Sequence, residues 1–191
     1  MNQKWRHRQQ VKIYLIRHGM TQGNKQKRYI GTSDEPLCTE GIEEIKQREY
    51  PQADIVYASP LKRCIMTSQL IYPGKEIHIC SKLREMDFGE FEGKNYEELK
   101  DNPAYIEWLE SGGIKPFPGG ESRQDFSLRC VEGFEECIRD CNNRDKFEKV
   151  NSVAFVVHGG TIMAIMEKYG TPKGEYYKWQ VKNGEWLELE L

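Results

Sequence analysis

Residues 11–24 of the chain read VKIYLIRHGMTQGN, and this stretch decides the fold. Val11–Ile16 is apolar or β-prone at nearly every position, which is typical of an inner strand of a parallel sheet. The strand ends in Arg17, His18 and Gly19, so a guanidinium and an imidazole stand together at its exit. In parallel sheets covered by helices, ligands bind beyond the carboxyl ends of the strands. The stretch therefore predicts an α/β sheet with a functional site at the end of its first strand.

The rest of the chain alternates between strand and helix patterns. Further strands are predicted at Asp54–Ala58, Glu76–Cys80 and Ser152–Val157. Helices are predicted around them, at Thr39–Glu49, Leu61–Ile71, Glu121–Cys141 and Gly159–Tyr169. This alternation indicates a three-layer α/β/α sandwich with a mainly parallel central sheet.

A segment from about 84 to 120 interrupts the alternation. It is rich in Gly, Pro and aromatic residues, and we expect a small, mostly helical insertion over the site, with short helices at Tyr96–Leu99 and Pro103–Leu109. Near the C-terminus, Asn183-Gly184 is a strong hairpin signal. The two strands of this hairpin are predicted at Tyr176–Val181 and Trp186–Leu191.

The composition is that of an ordinary soluble domain. The 191 residues include 28 Lys and Arg against 30 Asp and Glu, a formal net charge of -2, which argues against a nucleic-acid or membrane-surface binder. No apolar run approaches the length of a membrane span. Residues 1–10 have no apolar core, so we expect a solvated tail rather than a secretory signal, followed by a single domain over 11–191. These features predict a cytoplasmic protein.

The six cysteines are scattered, and no CxxC pair occurs among them. Cys137 and Cys141 could share a helix face, but a second pair of ligands is missing nearby, so a zinc site is not expected. We interpret the cysteines as small, mostly buried thiols in a reducing compartment.

Residues with phosphate-binding chemistry follow three of the predicted strands. Arg17 and His18 follow the first, Arg63 follows the second, and His158 with two glycines follows the fourth. Guanidinium groups match phosphate oxygens, glycines let the backbone approach an anion, and a helix that starts after His158 adds amide donors. Asn24 offers a neutral donor. Such a cluster would repel itself, so a bound polyanion such as a phosphate explains it best.

The same residues suit phosphoryl transfer. Imidazole can attack phosphorus and form a covalent intermediate, and a pocket with two arginines stabilises the charge of the transferred group. A proton donor to the leaving oxygen would complete the set. The segment KLREMDFGEFEG supplies four candidates: Glu85, Asp87, Glu90 and Glu92.

Six blocks occur in an order that resembles the histidine phosphatase superfamily, the phosphoglycerate mutase-like proteins. They are LIRHGMTQGN, IGTSDEPLCTEG, ASPLKRCIMTS, LREMDFGEFEG, PGGES and VVHGG, and the likeness runs from Val11 to about Tyr169. The resemblance implies that His18 is phosphorylated, that Glu85 is the general acid and base, and that the family needs no metal or other cofactor. It also implies a set of phosphate contacts: Arg17, Asn24, Arg63, His158 and Gly159.

The segment RYIGTSDEPLCTEGI is similar to the corresponding part of bacterial alpha-ribazole phosphatases, which remove the 5′-phosphate from an intermediate of cobalamin assembly. From this segment we expect Arg28, Ile30 and Gly31 to contact the substrate. Lys25 and Lys27 either rim the pocket with Arg28 or form a solvated run. Further residues are assigned more loosely: Trp108 and Phe117 could touch the non-phosphate part of the substrate, and His7 and His78 are not expected to be catalytic.

The leading hypothesis is a phosphomonoesterase that acts on a small-molecule phosphate ester, as a monomer or homodimer without a nucleic-acid or membrane partner. The alternative is a phosphoglycerate mutase, which would return the phosphoryl group to another hydroxyl. It is disfavoured because Phe88 and Tyr96 stand where the mutases carry a Tyr and a Lys, and because the insertion lacks an adjacent Arg pair. A non-catalytic phosphate-binding module is a third reading, against which the complete set of candidate residues argues.

Overall fold

The computed structural model describes residues 11–144 and 149–190, and the strands within these ranges form one five-stranded sheet. The strands are β1 Lys12–Arg17, β2 Ile55–Ala58, β3 Ile77–Ile79, β4 Ser152–Val157 and β5 Trp186–Leu189. Their order across the sheet is β3-β2-β4-β1-β5. The first four are parallel, and β5 runs antiparallel to β1 at the edge. The predicted mainly parallel sheet is confirmed.

Helices follow the strands as the sequence predicts. The α-helices are α1 Gln22–Lys25, α2 Thr39–Gln47, α3 Lys62–Ile71, α4 Tyr96–Leu99, α5 Pro103–Glu110, α6 Arg123–Arg144 and α7 Gly159–Tyr169. Short 3-10 turns lie at Ser81–Leu83, Gly89–Phe91 and Tyr176–Trp179. The one-turn helix α1 is not among the predicted elements. It forms because Thr21 and Asn24 make a reciprocal capping box around its first turn.

The sheet buries apolar side chains on both faces, which produces the three layers. Ile13 and Leu15 of β1 enter a cluster with residues of α6 and α7. Tyr14 and Ile16, on the opposite face of the same strand, enter a second cluster with residues of β2 and α3. Alternate residues of a strand point to opposite faces, so β1 is buried on both sides. Each fully buried aliphatic side chain contributes about 1.5–3 kcal/mol to this core.

The insertion packs beside the sheet rather than forming a separate core. Its residues Phe91, Leu99, Tyr105 and Phe117 share an apolar cluster with Phe126 of α6. This cluster anchors α4, α5 and the loops around them next to the carboxyl end of the sheet. No helix in the ranges 11–144 and 149–190 is long and apolar enough to cross a membrane. The predicted tail, residues 1–10, lies outside the described residues.

The predicted C-terminal hairpin is wrong. Tyr176–Trp179 is a 3-10 turn and not a strand, because Tyr176 is buried in the cluster of the insertion. Gly184 has a positive φ of 73°, but Asn183 does not, whereas a two-residue hairpin turn of the expected type needs positive φ at both positions. The residues after the turn pair with β1 instead and form β5.

Candidate active site

The carboxyl ends of β1, β2 and β4 meet in the middle of the sheet, since these three strands are neighbours. A cavity of about 490 Å³ opens beside them. Arg17 and His18 line it from the end of β1, and Gly159 and Gly160 line it from the start of α7. Asn24 and Glu85 complete its polar floor. The structure therefore brings together Arg17 and Gly160, which are 143 positions apart in the sequence.

His18 is almost completely buried, with 3% of its surface exposed. Its Nδ1 lies 2.7 Å from the carbonyl oxygen of Gly19, which can only accept, so Nδ1 carries the proton. The remaining ring nitrogen, Nε2, keeps its lone pair. Burial, and then the charges of Arg63 and Arg17, hold the pKa of His18 well below its ordinary value. The imidazole is neutral at physiological pH and has one nucleophilic nitrogen.

Hydrogen bonds to helix α3 hold the backbone of Gly19 in place. Its N–H donates to Thr67 Oγ1 at 2.9 Å, and Thr67 donates in turn to the carbonyl oxygen of Arg63 at 2.6 Å. This chain of hydrogen bonds joins the loop after β1 to helix α3. The chain thereby fixes the position of the Gly19 carbonyl, which sets the tautomer of His18.

Arg17 has an unsatisfied donor inside the protein. Its Nη1 donates to the carbonyl oxygen of Val181 at 2.7 Å, but its Nε is buried and finds no partner within the described part of the chain. Burial lowers the pKa of this guanidinium, and Arg63 adds to that effect. A buried N–H without a partner costs free energy, so the group is suited to an anionic ligand.

Arg63 and His158 lie one layer behind the cavity wall, and both are fully buried. Arg63 Nε donates to His158 Nδ1 at 3.3 Å, and its Nη atoms donate to the carbonyls of Ser33 and Gly31 at 2.7 and 2.8 Å. Because His158 Nδ1 accepts, its Nε2 carries the proton and donates to Ser59 Oγ at 2.7 Å. Burial and the Arg63 charge hold the pKa of His158 well below its ordinary value.

Both ring nitrogens of His158 thus have protein partners, Arg63 on one and Ser59 on the other. Gly31 has protein partners as well. Its N–H donates to Glu92 and its carbonyl accepts from Arg63, and it does not line the cavity. Both residues serve here to hold Arg63.

Glu85 is the one acidic residue of the four candidates that lines the cavity. Its Oε1 accepts from the N–H of Met86 at 3.0 Å, and its Oε2 accepts from the N–H of Gly160 at 3.2 Å. Burial raises the pKa of its carboxyl group, although Arg63, Arg17 and these hydrogen bonds oppose the shift. The other candidates have different roles: Asp87 accepts from Gly89, Glu92 holds Gly31 and Ser33, and Glu90 is exposed.

Three basic residues lie at the end of α1 and in the loop after it. Two of them, Lys27 and Arg28, line the part of the cavity farther from His18, called the outer cavity here. Arg28 already pairs with Glu98 at 2.7 Å, so its charge is partly neutralised. Lys25 pairs with Glu40 on the surface and does not line the cavity. Ile30 also lines the cavity wall.

The outer wall is mainly aromatic. Trp108 and Phe117 of the insertion line it as anticipated. Phe88 of the insertion, which stands where the mutases carry a Tyr, lines it too. Sequence reasoning missed three aromatic members from other elements, which are Tyr29, Tyr176 and Tyr177. It also missed Asn183, Gln180, Arg123 and Met163. No local pattern marks the missed residues, because they belong to separate loops and helices that only the fold brings to the cavity.

The remaining histidines and the thiols lie elsewhere. His78 is on β3, 3.6 Å from Glu76, and His7 lies outside the described residues. None of the six cysteines, all within the described residues, forms a disulfide. No group of three or more metal-ligating side chains occurs in residues 11–144 and 149–190.

The fold is that of an α/β protein whose mainly parallel sheet carries an imidazole, a guanidinium and a carboxyl group around one cavity at its carboxyl end. The chain belongs to the histidine phosphatase superfamily, since the family model of its branch 1 matches residues 13–191. It is a phosphatase-type enzyme of that superfamily.

Individual proteins resemble it over nearly the whole length. The adenosylcobalamin/alpha-ribazole phosphatase of Salmonella typhimurium is 27% identical over 190 residues, which cover 95% of this chain and 91% of that protein. The crystal structure of the alpha-ribazole phosphatase from Shigella flexneri has a TM-score of 0.72 and 26% identity, and covers 93% of this chain and 89% of that one. The crystal structure of the phosphoserine phosphatase of Entamoeba histolytica, in complex with 3-phosphoglyceric acid, has a TM-score of 0.73 and 29% identity. The match covers 93% of this chain and 89% of that one.

Proposed function

We propose that this protein is a phosphomonoesterase that works through a phosphohistidine on His18. The tautomer of His18 carries the proposal. Because the Gly19 carbonyl keeps the proton on Nδ1, the Nε2 lone pair is available in a cavity that also holds Arg17 and Glu85. A neutral, oriented imidazole is the form that attacks phosphorus.

The surrounding charges support binding of a phosphoryl group. Arg17 lines the cavity with its guanidinium charge, and Gly159, the first residue of α7, lines it beside the N-terminal amides of that helix. Arg63, directly behind, adds a second permanent charge whose position is set by four acceptors. Stabilising the equatorial oxygens in this way is the main contribution that a protein makes to phosphoryl transfer.

The first half-reaction forms the phosphoenzyme. His18 Nε2 attacks phosphorus, the bond from phosphorus to the ester oxygen breaks, and Glu85 gives its proton to the leaving alcohol. Burial raises the pKa of Glu85, which increases its protonated fraction near neutral pH, and the bound phosphate offsets the charges of the two arginines.

The second half-reaction restores the enzyme. The Glu85 carboxylate takes a proton from water, the water oxygen attacks phosphorus, and the bond from phosphorus to Nε2 breaks with its electron pair returning to the ring. Inorganic phosphate leaves, and both residues are back in their starting protonation states.

The outer cavity supports a substrate with a flat apolar part, and alpha-ribazole 5′-phosphate is our leading candidate. The walls include Tyr29, Phe88, Trp108 and Phe117, whose rings pack against one another edge-on or tilted. Trp108 also stacks on Tyr105 behind the wall, which holds its ring in place. Aromatic walls with a few polar groups are typical of sites for drug-sized molecules.

A small phosphorylated acid, hydrolysed or rearranged by a mutase reaction, is the second candidate. Lys27 and Arg123 line the outer cavity and favour a carboxylate. Arg123 also lies over the ring of Tyr176, at 5.4 Å from its centre, and so has a partner in the protein itself. Six aromatic residues line the cavity against these two cations, which favours the substrate with an apolar part.

The chemistry is tested with His18→Ala on an aryl phosphate. We expect loss of turnover and of the acid-labile phosphoprotein that the wild type forms in a rapid quench. His78→Ala is the matched control, because His78 lies on β3 away from the cavity, and it should keep both signals. Near-normal turnover of His18→Ala would overturn the assignment. A panel with alpha-ribazole 5′-phosphate, phosphoserine and 3-phosphoglycerate then ranks the substrates by kcat/KM, and a phosphoglycerate mutase would appear as isomerisation without release of phosphate.

A further inference from the structure

The C-terminal turn lies directly against the loop that carries His18. The N–H of Gly184 is 3.1 Å from the carbonyl oxygens of both Arg17 and His18. Next to it, Asn183 Nδ2 donates to the His18 carbonyl at 3.1 Å and is 3.5 Å from the Gly19 carbonyl. The turn that sequence analysis assigns to a hairpin is therefore part of the wall of the active site.

Asn183 also determines how Asn24 faces the cavity. The Oδ1 of Asn24 accepts from Asn183 Nδ2 at 3.0 Å and from the N–H of Thr21 at 3.3 Å. With two donors on its oxygen, the amide of Asn24 has only one orientation that satisfies them. Its NH2 group is left free of these bonds, on a residue that lines the cavity. The interaction thus presents a donor, rather than an acceptor, to a phosphate.

We propose that Asn183 is a positioning residue for phosphoryl transfer, acting through Asn24 and through the backbone of His18. The inference rests on the proposed function, because it concerns the same phosphate pocket. The Asn183 amide acts on that pocket in two ways. It fixes the orientation of the Asn24 side chain. It also holds the backbone carbonyl of His18, next to the Gly19 carbonyl that keeps the proton on His18 Nδ1.

Asn183 could instead serve only to form the turn, without any effect on the phosphate pocket. Two substitutions of Asn183 distinguish this structural role from the proposed positioning role. In Asn183→Ala the backbone bonds of Gly184 remain, while the side-chain donor is lost. In Asn183→Asp the size is kept and Asp-Gly still suits a tight turn. The carboxylate cannot donate, however, and its negative oxygens would face the acceptor oxygens of Asn24, His18 and Gly19. A structural role predicts little effect of Asp, whereas the proposed role predicts that Asp is the more harmful change.

Tyr50→Phe is the matched control for the turn itself. Tyr50 donates from its hydroxyl to the carbonyl oxygen of Gly184 at 2.9 Å, on the side away from the pocket, and does not line the cavity. Removing this hydroxyl loosens the same turn but keeps the Asn183 amide. It should lower the melting temperature slightly and leave catalysis unchanged.

The experiment measures kcat and KM for p-nitrophenyl phosphate, the stabilisation of each protein by orthovanadate in a thermal melt, and the melting temperature without ligand. We expect Asn183→Ala to lose about tenfold in kcat/KM and in vanadate affinity, as for one or two neutral hydrogen bonds. Asn183→Asp should lose more, at a melting temperature close to that of the wild type. In an Asn24→Ala background, Asn183→Ala should have a clearly smaller effect, because the group that it orients is gone.

Wild-type kcat/KM and vanadate affinity in both Asn183 variants would overturn the inference, and so would an equal loss in Tyr50→Phe. Full additivity with Asn24→Ala would overturn the action through Asn24. A wild type that neither turns over p-nitrophenyl phosphate nor responds to vanadate would instead overturn the proposed function, so the two failures are distinguishable.

Discussion

Acidification should destabilise this protein through two buried neutral imidazoles, those of His18 and His158. Burial first, and then the charge of Arg63, hold both pKa values well below the ordinary value near 6.5. In the unfolded chain the same histidines take up protons at that ordinary value. The unfolded state therefore binds more protons, and the free energy of unfolding must fall as the pH drops below about 7.

The size of the effect follows from proton linkage. For a histidine that stays neutral in the native state, the lost stability is RT ln(1 + 10^(6.5−pH)), which is about 0.2 kcal/mol at pH 7.0 and about 1.4 kcal/mol at pH 5.5. The two residues together should cost about 2.5 kcal/mol over this interval. Glu85 has the opposite sign, because a raised native pKa contributes stability below the ordinary value near 4.3 that is lost as the pH rises through the native pKa. It therefore offsets part of the loss.

Urea unfolding between pH 7.0 and 5.5, in buffers without phosphate or sulfate, measures this directly. The wild type should lose up to about 2.5 kcal/mol, and Glu85→Gln should lose more than the wild type. The double variant His18→Asn/His158→Asn should lose about 2.5 kcal/mol less than the wild type. The other titrating groups, Glu85 included, are the same in the wild type and the double variant and cancel in that comparison. Each single Asn variant should show half the change. The reasoning would be refuted if the double variant lost as much stability on acidification as the wild type.

Two further changes separate catalysis from folding and from substrate choice. In Gly160→Ala the new Cβ would overlap with Glu85 Oε1 and reach the Phe126 ring at 3.0 Å, while alanine favours the first turn of α7. We expect kcat on an aryl phosphate to fall by about tenfold or more, with little change in melting temperature, because the Glu85 carboxyl group is displaced. An unchanged kcat would show that proton transfer does not depend on the position of Glu85. Trp108→Leu should raise KM for alpha-ribazole 5′-phosphate by about fivefold and leave KM for phosphoserine within about twofold. Equal shifts for the two esters would contradict the aromatic subsite.

The sheet and the residues at its strand ends could be predicted because they depend on local patterns. A strand that is buried on both faces must be apolar along its length, as β1 and β4 are. Polar residues directly after such strands can only lie at the carboxyl edge of a parallel sheet. This places Arg17, His18 and Arg63 near one another without any knowledge of side-chain contacts.

The outcome for the C-terminal segment could not be predicted in this way. Asn183-Gly184 satisfies the local rule for a hairpin, but β1 offers a free edge to pair with and the insertion cluster buries Tyr176. Both are long-range interactions, and together they override the local preference of the turn. The aromatic wall of the cavity depends on the same long-range packing.

By itself, the sequence determined the α/β sheet and the chemistry at its strand ends, because hydrophobic periodicity and residue type act over a few positions. Residue chemistry alone offered four acidic candidates, and the family resemblance selected Glu85 among them. Only the tertiary structure showed Glu85 on the cavity wall, packed His158 against Arg63, and brought Asn183 to the carbonyl of His18 across 165 residues. These placements depend on how separate elements pack, because a hydrogen bond between distant segments leaves no sequence pattern in either segment alone.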